Sequence, residues 1–386
     1  MARAALTSGG RERRGEALNH NERRILSLIL EKGPVSRAEV ARTIDLSTPS
    51  VFRICETLLE RGFLIAGGRT ITGPGQPSLP LSVAPDAAFG FGISLTTDSV
   101  AVVLADLTGR VRGRRTLEGG VTGRVETVQR IADSLAALAA EAGVAPGKVV
   151  GVGFAAPGYF VGAGPELNLA GDLDEWSLID LEQALGEAFG LPVIVENEGN
   201  AAAIGESLYG HGASHRSFAY VSIGYGLGGG LVFDGLPLRG AHGNAGELTT
   251  VLAPEMRKDR PTLSGLLAEL RGQGVELAGI SELIARFDPA WPGLDAWLAR
   301  AKTPLSLILS AVAGVGDPSM IVVGGLAPEA LIARLIQVGE LHLEPPRRGV
   351  ERPLPTVLAS ALGGDAMTLG AAALPFRAHL FAPWAS

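Results

Sequence analysis

Two groups of residues in this chain have the types and spacing to do chemistry. The first is Ser47, Thr48, Ser50 and Arg53, with Phe52 among them and Arg37 upstream. Short hydroxyl side chains at the front of a helix, followed by an arginine, are groups that reach base edges and phosphates in a major groove. The second group is Gly224, Gly226, Gly228, Gly229 and Gly230. Residues without Cβ let the backbone turn with positive φ and bring amide donors up to an anion, so this loop suits a phosphate. The same glycines suit a plain hairpin between two strands, and the sequence leaves both readings open.

The elements that must position the first group are helices. Ser36 and Glu39 have capping-box spacing before Val40, Ala41 and Ile44, which predicts a helix ending near Asp45. Ser47 is a second N-cap, after which Val51, Ile54, Cys55 and Leu58 recur at the period of one buried helical face. The opposite face carries Thr48, Ser50, Arg53 and Thr57. Asn21 is placed to cap an earlier helix through Ile25, Leu28 and Ile29, stopped by Gly33-Pro34. Phe63-Leu64-Ile65 and Thr70-Ile71, separated by Gly67-Gly68, predict a two-stranded wing, and the Pro/Gly-rich run Gly73–Pro85 a wing tip and linker. The stretch therefore reads as a winged helix-turn-helix; a small helical hairpin with a solvated face is the bland alternative.

Composition bounds the rest. The 386 residues, 46% of them hydrophobic, are enough for two or three domains with sizeable cores. No uninterrupted apolar run of about 18 residues predicts a membrane span, and the arginine-rich N-terminus lacks the apolar segment of a signal peptide. A single cysteine, Cys55, excludes an intramolecular disulfide and favours a buried thiol in a reducing cytoplasm. Residues 1–85 hold 12 Lys+Arg against 8 Asp+Glu, while the remainder hold 21 against 32. A basic front and an acidic body suit a protein whose first segment meets DNA.

From Ala88 onward the pattern changes to strands and helices, and it occurs twice. Strands over 89–95, 99–106 and 149–155 with a helix over 127–142 are followed by strands over 218–223 and 231–234, helices across 262–286 and 294–315, and further alternating elements to a helix over 365–373. Such a repeat predicts two α/β lobes with a cleft between them. The expected organisation is a disordered arm over 1–20, a winged helix-turn-helix over 21–72, a wing tip and linker over 73–85, a first lobe over 86–197 and a second over 198–386.

The chain resembles the ROK family, which contains bacterial sugar-responsive repressors and sugar kinases on an actin-like, hexokinase-like ATPase fold. The resemblance rests on the helix-turn-helix head, GFAAPG at Gly153–Gly158, VENEGNAAAIGE at Val195–Glu206, GYGLGGGLVFDG at Gly224–Gly235, GNAGE at Gly243–Glu247, and VVGG and LGGDAMTLGAA near the end. It implies an α/β chain in which a winged helix-turn-helix precedes a two-lobed actin-like ATPase fold. Three departures bear on activity. Family kinases carry an Asp and glycines in the first hairpin, where this chain has Ser94-Leu95-Thr96-Thr97. They place Asp after Glu-Asn as catalytic base, where this chain has Glu198, longer by a methylene. They continue past Gly-Glu to a histidine and a cysteine zinc cluster, where this chain has Leu248-Thr249-Thr250 and no cysteine beyond Cys55, so a thiolate zinc site of that kind is excluded.

The resemblance thus implies Asn168, Asn197, Glu198 and Glu247 as an effector pocket, with Ser94, Thr96, Gly224, Gly226 and Gly228 as a degenerate nucleotide loop. Amides and carboxylates converging in a cleft suit vicinal hydroxyls, though they can equally bond to one another and close an empty cleft. His242 reads as a surface residue, and Trp176 as a core or lobe-edge residue that could alternatively stack on a sugar. On DNA, Arg37 and Arg53 are expected to contact phosphate or guanine, with Ser47, Thr48 and Ser50 positioning the helix. Phe52 can pack on a thymine methyl or cover the preceding helix, and Gln76 of Gln76-Pro77 stands where family wings carry arginine. The expected function is a non-enzymatic, cytoplasmic transcriptional repressor. It would bind a palindromic double-stranded operator as a homodimer or tetramer and sense a sugar-like effector, with no cofactor and no resident metal. The alternatives are a sugar kinase with an appended head and a ligand-blind repressor.

Overall fold

The structure, a computed structural model, describes residues 17–68, 79–117, 120–121, 123–162, 164–169, 171, 173–342 and 345–382. The head opens with α1 (His20–Lys32), whose N-cap is Asn19. The Asn19 side chain accepts the Asn21 and Glu22 amides while the Glu22 carboxylate accepts the Asn19 amide at 2.8 Å, so the capping box lies here, two residues before the Asn21 cap the sequence predicted. Then come α2 (Arg37–Thr43) and α3 (Thr48–Glu60). At α2 only half of the predicted box forms: Ser36 Oγ accepts the Glu39 amide at 3.2 Å.

The wing differs from expectation. Strand β1 (Leu64–Ala66) pairs antiparallel with β2 (Leu81–Val83), Leu64 opposite Val83 and Ala66 opposite Leu81. The second wing strand therefore lies in the segment read as linker, because Leu81 and Val83 bury their side chains in the head core where a solvated linker could not. Thr70-Ile71, Gln76 and most of the arm over 1–20 fall outside the described residues.

The first lobe is built on β3 (Phe89–Leu95), β4 (Val100–Asp106) and β5 (Val111–Leu117), then α4 (Arg124–Glu141), β6 (Val149–Ala156), the small hairpin β7 (Gly158–Phe160) and β8 (Leu167–Leu169), α5 (Leu181–Phe189) and β9 (Val193–Asn197). Helix α6 (Glu198–Tyr209) crosses to the second lobe, which comprises β10 (Phe218–Ile223), β11 (Leu227–Phe233), β12 (Leu236–Pro237), α7 (Leu263–Gly272), α8 (Ile280–Ala285), α9 (Leu294–Gly316), β13 (Met320–Gly325), α10 (Glu329–Val338) and β14 (Thr356–Ala359). The chain closes with α11 (Ala366–His379). The predicted helix over 262–286 is two, α7 and α8, with Gly274 at positive φ between them.

The two sheets repeat one topology. Their strand orders are β5-β4-β3-β6-β9 and β12-β11-β10-β13-β14, each an antiparallel three-strand meander joined in parallel to two further strands. Helices α6 and α11 pack together, α11 on the first sheet and α6 on β11 of the second. Glycines make this closeness possible. A Cβ on Gly92 would overlap the Thr368 carbonyl, and one on Gly153 the Ala371 carbonyl. The C-terminal helix, which the sequence reading placed in the second lobe, thus packs on the sheet of the first. Helix α9 is long and apolar enough to cross a membrane by length and composition, but it carries Pro304 and buries Leu305, Ile308, Leu309 and Val312 in the second lobe's core.

Candidate nucleic-acid interface and ligand cleft

Helix α3 sets the interface. Its cap is a pair of hydroxyls: Ser47 Oγ accepts the Ser50 amide at 3.4 Å and lies 2.8 Å from Ser50 Oγ. These two serines define where the helix starts. Val51, Ile54, Cys55 and Leu58 turn inward and pack with Ile25, Leu26 and Ile29 of α1. The outward face presents Thr48, Arg53 and Phe52, the last 43% exposed. Arg53 has no side-chain partner among the described residues. Burial pushes the Cys55 thiol up to about 11, which makes it inert at neutral pH.

Arg37 behaves differently from expectation. Its Nη2 donates to Glu56 Oε1 at 2.6 Å and its side chain is 17% exposed, so it ties α2 to α3 and is not an open DNA contact. The reason is that α3 presents the exposed Glu56 carboxylate within reach of the first turn of α2, and a charge-assisted hydrogen bond forms between them. In its place the structure offers Arg42, exposed in the last turn of α2 with no partner among the described residues. Its position two residues beyond buried Val40, on the other side of the helix, is the signal that could have marked it.

The cleft lies where β9 runs into α6. Asn197 caps α6, its Oδ1 accepting the Gly199 amide at 2.7 Å and the Asn200 amide at 3.3 Å while its Nδ2 donates to the Gly158 carbonyl at 2.7 Å. Its side chain thus holds α6 to the β7 turn, a scaffold role that leaves one Nδ2 hydrogen without a partner among the described residues. Asn168 Nδ2 donates to the Tyr159 hydroxyl at 2.8 Å, leaving its Oδ1 open. From the second lobe, Asn244 reaches across: its Oδ1 accepts the Phe160 amide at 2.7 Å and its Nδ2 donates to the Phe160 carbonyl at 2.9 Å. Buried Glu196 pairs with Arg239 and accepts the Asn200 Nδ2 at 3.2 Å.

Two carboxyl groups stand apart from these partnerships. Glu198 and Glu247, both half-buried, have no hydrogen-bond partner for their side chains among the described residues. Burial, and then the charge of Glu247, pushes Glu198 up to about 7, and burial raises Glu247 as well. Near neutral pH Glu198 is therefore a mixture of acid and carboxylate, so the pair can offer one O–H donor beside acceptors. That is a match for neighbouring hydroxyls, each of which both donates and accepts. Gly228 adjoins them, since a Cβ there would lie 3.8 Å from Glu198 Oε1. His242 is exposed, and Trp176 is buried in the first lobe, stacked on Phe154 with centroids 5.8 Å apart.

The sequence matches two family models, one described as the ROK family over residues 91–258 and one as a winged helix-turn-helix DNA-binding model over 18–65. An uncharacterised protein, y4fQ of Sinorhizobium fredii, is 33% identical over 94% of this chain and 92% of its own length. The chain belongs to the ROK family. Other members are less complete matches: the xylose repressor of Caldicellulosiruptor bescii is 28% identical over 59% of this chain and 57% of its own, and the glucokinase of Streptomyces coelicolor 29% over 64% and 86%. The fold superposes on a ROK family transcriptional regulator homologous to the E. coli MLC protein (TM-score 0.67, 20% identity, 92% of this chain and 95% of that one). It also superposes on the Streptomyces griseus ROK glucokinase solved with glucose and AMPPNP (TM-score 0.58, 24% identity, 74% and 99%).

Within the ROK fold the turns that would flank a nucleotide have other uses here. Ser94 is buried, its Oγ donating to Met367 Sδ at 2.7 Å. Thr96 Oγ1 donates to the Ser99 carbonyl at 3.0 Å and accepts the Ser99 amide at 3.1 Å, closing the β3–β4 turn on itself. Asp98 in that turn accepts from the Ser281 amide and hydroxyl at 3.3 and 3.4 Å, so a carboxylate crosses to α8 at this end of the cleft. On the other side the glycine run is mostly strand. Only Gly224–Gly226 forms the turn, with the Gly224 amide donating to the Gly226 carbonyl at 2.9 Å; Gly228, Gly229 and Gly230 are in β11, and none of the five has positive φ. Gly229 and Gly230 are required for packing, since a Cβ on the first would lie 2.5 Å from Leu248 Cδ1 and on the second 2.7 Å from the Gly199 carbonyl.

Proposed function

We propose that this ROK protein is a transcriptional repressor that grips a DNA operator through α2, α3 and the wing and has its grip tuned by a sugar-like effector at Glu198 and Glu247. The observation that carries the DNA half is the outward face of the head. Arg42, Thr48, Phe52 and Arg53 project from the α2–α3 pair, and neither Arg42 nor Arg53 has a side-chain partner among the described residues, leaving two cations available for phosphates and guanine edges. The effector half rests on the two carboxyl groups that have no hydrogen-bond partner among the described residues, with the open Asn168 Oδ1 on the neighbouring β8 as a further candidate. Relatives named xylose repressor support both halves. The protein would act in the cytoplasm as a homodimer, so that two heads meet half-sites about one helical turn apart or a multiple of it.

Fluorescence anisotropy with duplexes from the region upstream of its own gene tests the reading. Binding of one duplex at least about 1,000-fold tighter than random DNA is the expected result, and indistinguishable binding would sink it. A thermal-shift panel of pentoses, hexoses and their derivatives tests the effector: a ligand at about 100 times its Kd adds about 2.7 kcal/mol to stability.

The second reading, a sugar kinase, is kept by one observation: a carboxyl group near 7 is poised as a general base for a sugar hydroxyl. Against it, the turn that would hold phosphate presents Asp98, and Ser94 is committed to Met367. Sugar-dependent release of ADP from ATP at more than about 1 per second would establish the kinase.

A further inference from the structure

One arginine fastens the head to the end of the last helix. Arg23 of α1 donates from Nε to the Phe381 carbonyl at 2.8 Å and from Nη2 to the Arg377 and Ala378 carbonyls at 2.9 and 3.0 Å. One turn further along α1, Ser27 Oγ accepts the Ala382 amide at 3.0 Å and donates to the Arg23 carbonyl at 2.9 Å. The last carbonyls of a helix lack intrahelical partners and carry partial negative charge, so a guanidinium satisfies both needs at once. Phe376, Leu380 and Phe381 complete the head's own core around Ile25, Leu26 and Ile29. Arg377, on the same final turn, donates to the Gly235 carbonyl of the second lobe at 3.3 Å.

The other end of α11 begins at the cleft. Met367 receives the Ser94 hydroxyl, and Gly370 lies so close to α6 that a Cβ would overlap the Ala201 carbonyl. Gly205 of α6 is also tightly packed, since a Cβ there would lie 2.7 Å from the Ala366 carbonyl and 3.0 Å from the Gly370 amide nitrogen. Two helices with no side-chain layer between them cannot shift independently in a close-packed interior. Helix α6 itself starts at Asn197 and Glu198, so a ligand that moves this end of α6 moves α11 with it.

We propose that α11 is the relay by which the state of the cleft reaches the DNA-binding head, with Arg23 as the positioning residue that makes the connection. This deepens the repressor reading and rests on it. The α6–α11 pair is the element whose placement both sites bias, which is the physical requirement for coupling.

A double-mutant cycle on the full chain tests it. Gly370→Ala disturbs the α6–α11 contact far from DNA; it should change operator affinity at least about fivefold in the native background and less than about twofold beside Arg23→Ala. Arg23→Lys should restore part of the coupling, since it keeps the charge at the helix end. Equal effects in both backgrounds, or no effect of Gly370→Ala in a folded chain, overturn the proposal. If Gly370→Ala does not fold, Ser94→Ala, which removes only the bond to Met367, is read the same way. Amide hydrogen exchange without DNA gives an independent readout: the relay-side substitution should speed exchange in α1 only when Arg23 is present. Unchanged α1 exchange in both backgrounds overturns the relay. Failure of the native chain to bind DNA, with that exchange coupling intact, counts against the repressor reading alone.

Discussion

The recognition face and the cleft are both built on polar side chains and treat them in opposite ways. On α2 and α3, Arg42, Arg53 and Thr48 face outward without internal partners. In the cleft, Asn197, Asn244 and Glu196 are each bonded within the protein, while the Glu198 and Glu247 side chains have no hydrogen-bond partner among the described residues. A polar residue at a suggestive position is therefore either a contact or a strut. What separates the two is whether the local backbone offers it a donor or acceptor at the right distance. Helix N-termini do so for Asn197, and the surface of a short helix pair does not for Arg53.

The sharpest way to break this comparison is to reverse the charge on the outward face. Arg53→Glu should weaken operator binding by about 100-fold or more, a lost contact of about 1–3 kcal/mol compounded by repulsion from phosphate. Anisotropy titration against the same duplex reads it, and a change under about threefold would remove Arg53 from the interface. Arg37→Ala should cost less affinity than Arg53→Ala, while lowering the melting temperature of the head because Glu56 loses its partner. An Arg37 effect equal to that of Arg53 would restore Arg37 as a direct contact.

In the cleft the order of effects is the reverse, with stability first. Asn197→Ala removes an N-cap and the tie to Gly158, and should destabilise the body by about 1–2 kcal/mol in denaturant titration. A neutral result would mean that the cap is dispensable and Asn197 available to a ligand. Glu198→Gln is the subtlest. Because the folded protein raises this acid from the usual carboxylate range to about 7, the proton-linked stability is fully present below about pH 4.5 and lost as pH climbs through 7. The wild-type melting temperature should therefore fall relative to the Gln variant between pH 5 and 8, by roughly 2–4 °C. Parallel pH curves for the two proteins would show that Glu198 is solvated and ordinary.

Much of the architecture was legible because period and capping survive without tertiary context. The stripe of Val51, Ile54, Cys55 and Leu58 and the duplicated strand-helix order are local patterns, and the structure reproduces them. Pairing over distance was not legible. Nothing near Leu81 announced that it would pair with Ala66 across fourteen intervening residues, nor that α11 would return to the first lobe. The glycine run stayed open between a phosphate loop and a plain hairpin for a related reason, and the fold makes it a hairpin. Read locally, Gly229 and Gly230 are flexibility, whereas in the fold these residues are the missing side chains that admit Leu248 and α6. The site residues divided in the same way: Arg53 and Ser47 could be placed from helical phase, but the partners of Arg37 and Asn197 lie on other elements.

Cys55, finally, makes the head its own chemical clock. It is the chain's sole sulfhydryl, wholly enclosed among α1, α2 and α3. An alkylating probe can reach it only when those helices come apart, so the labelling rate of native protein counts such openings one molecule at a time. A fluorophore placed through a new exposed cysteine would label its own location ahead of Cys55 for as long as the head stays closed.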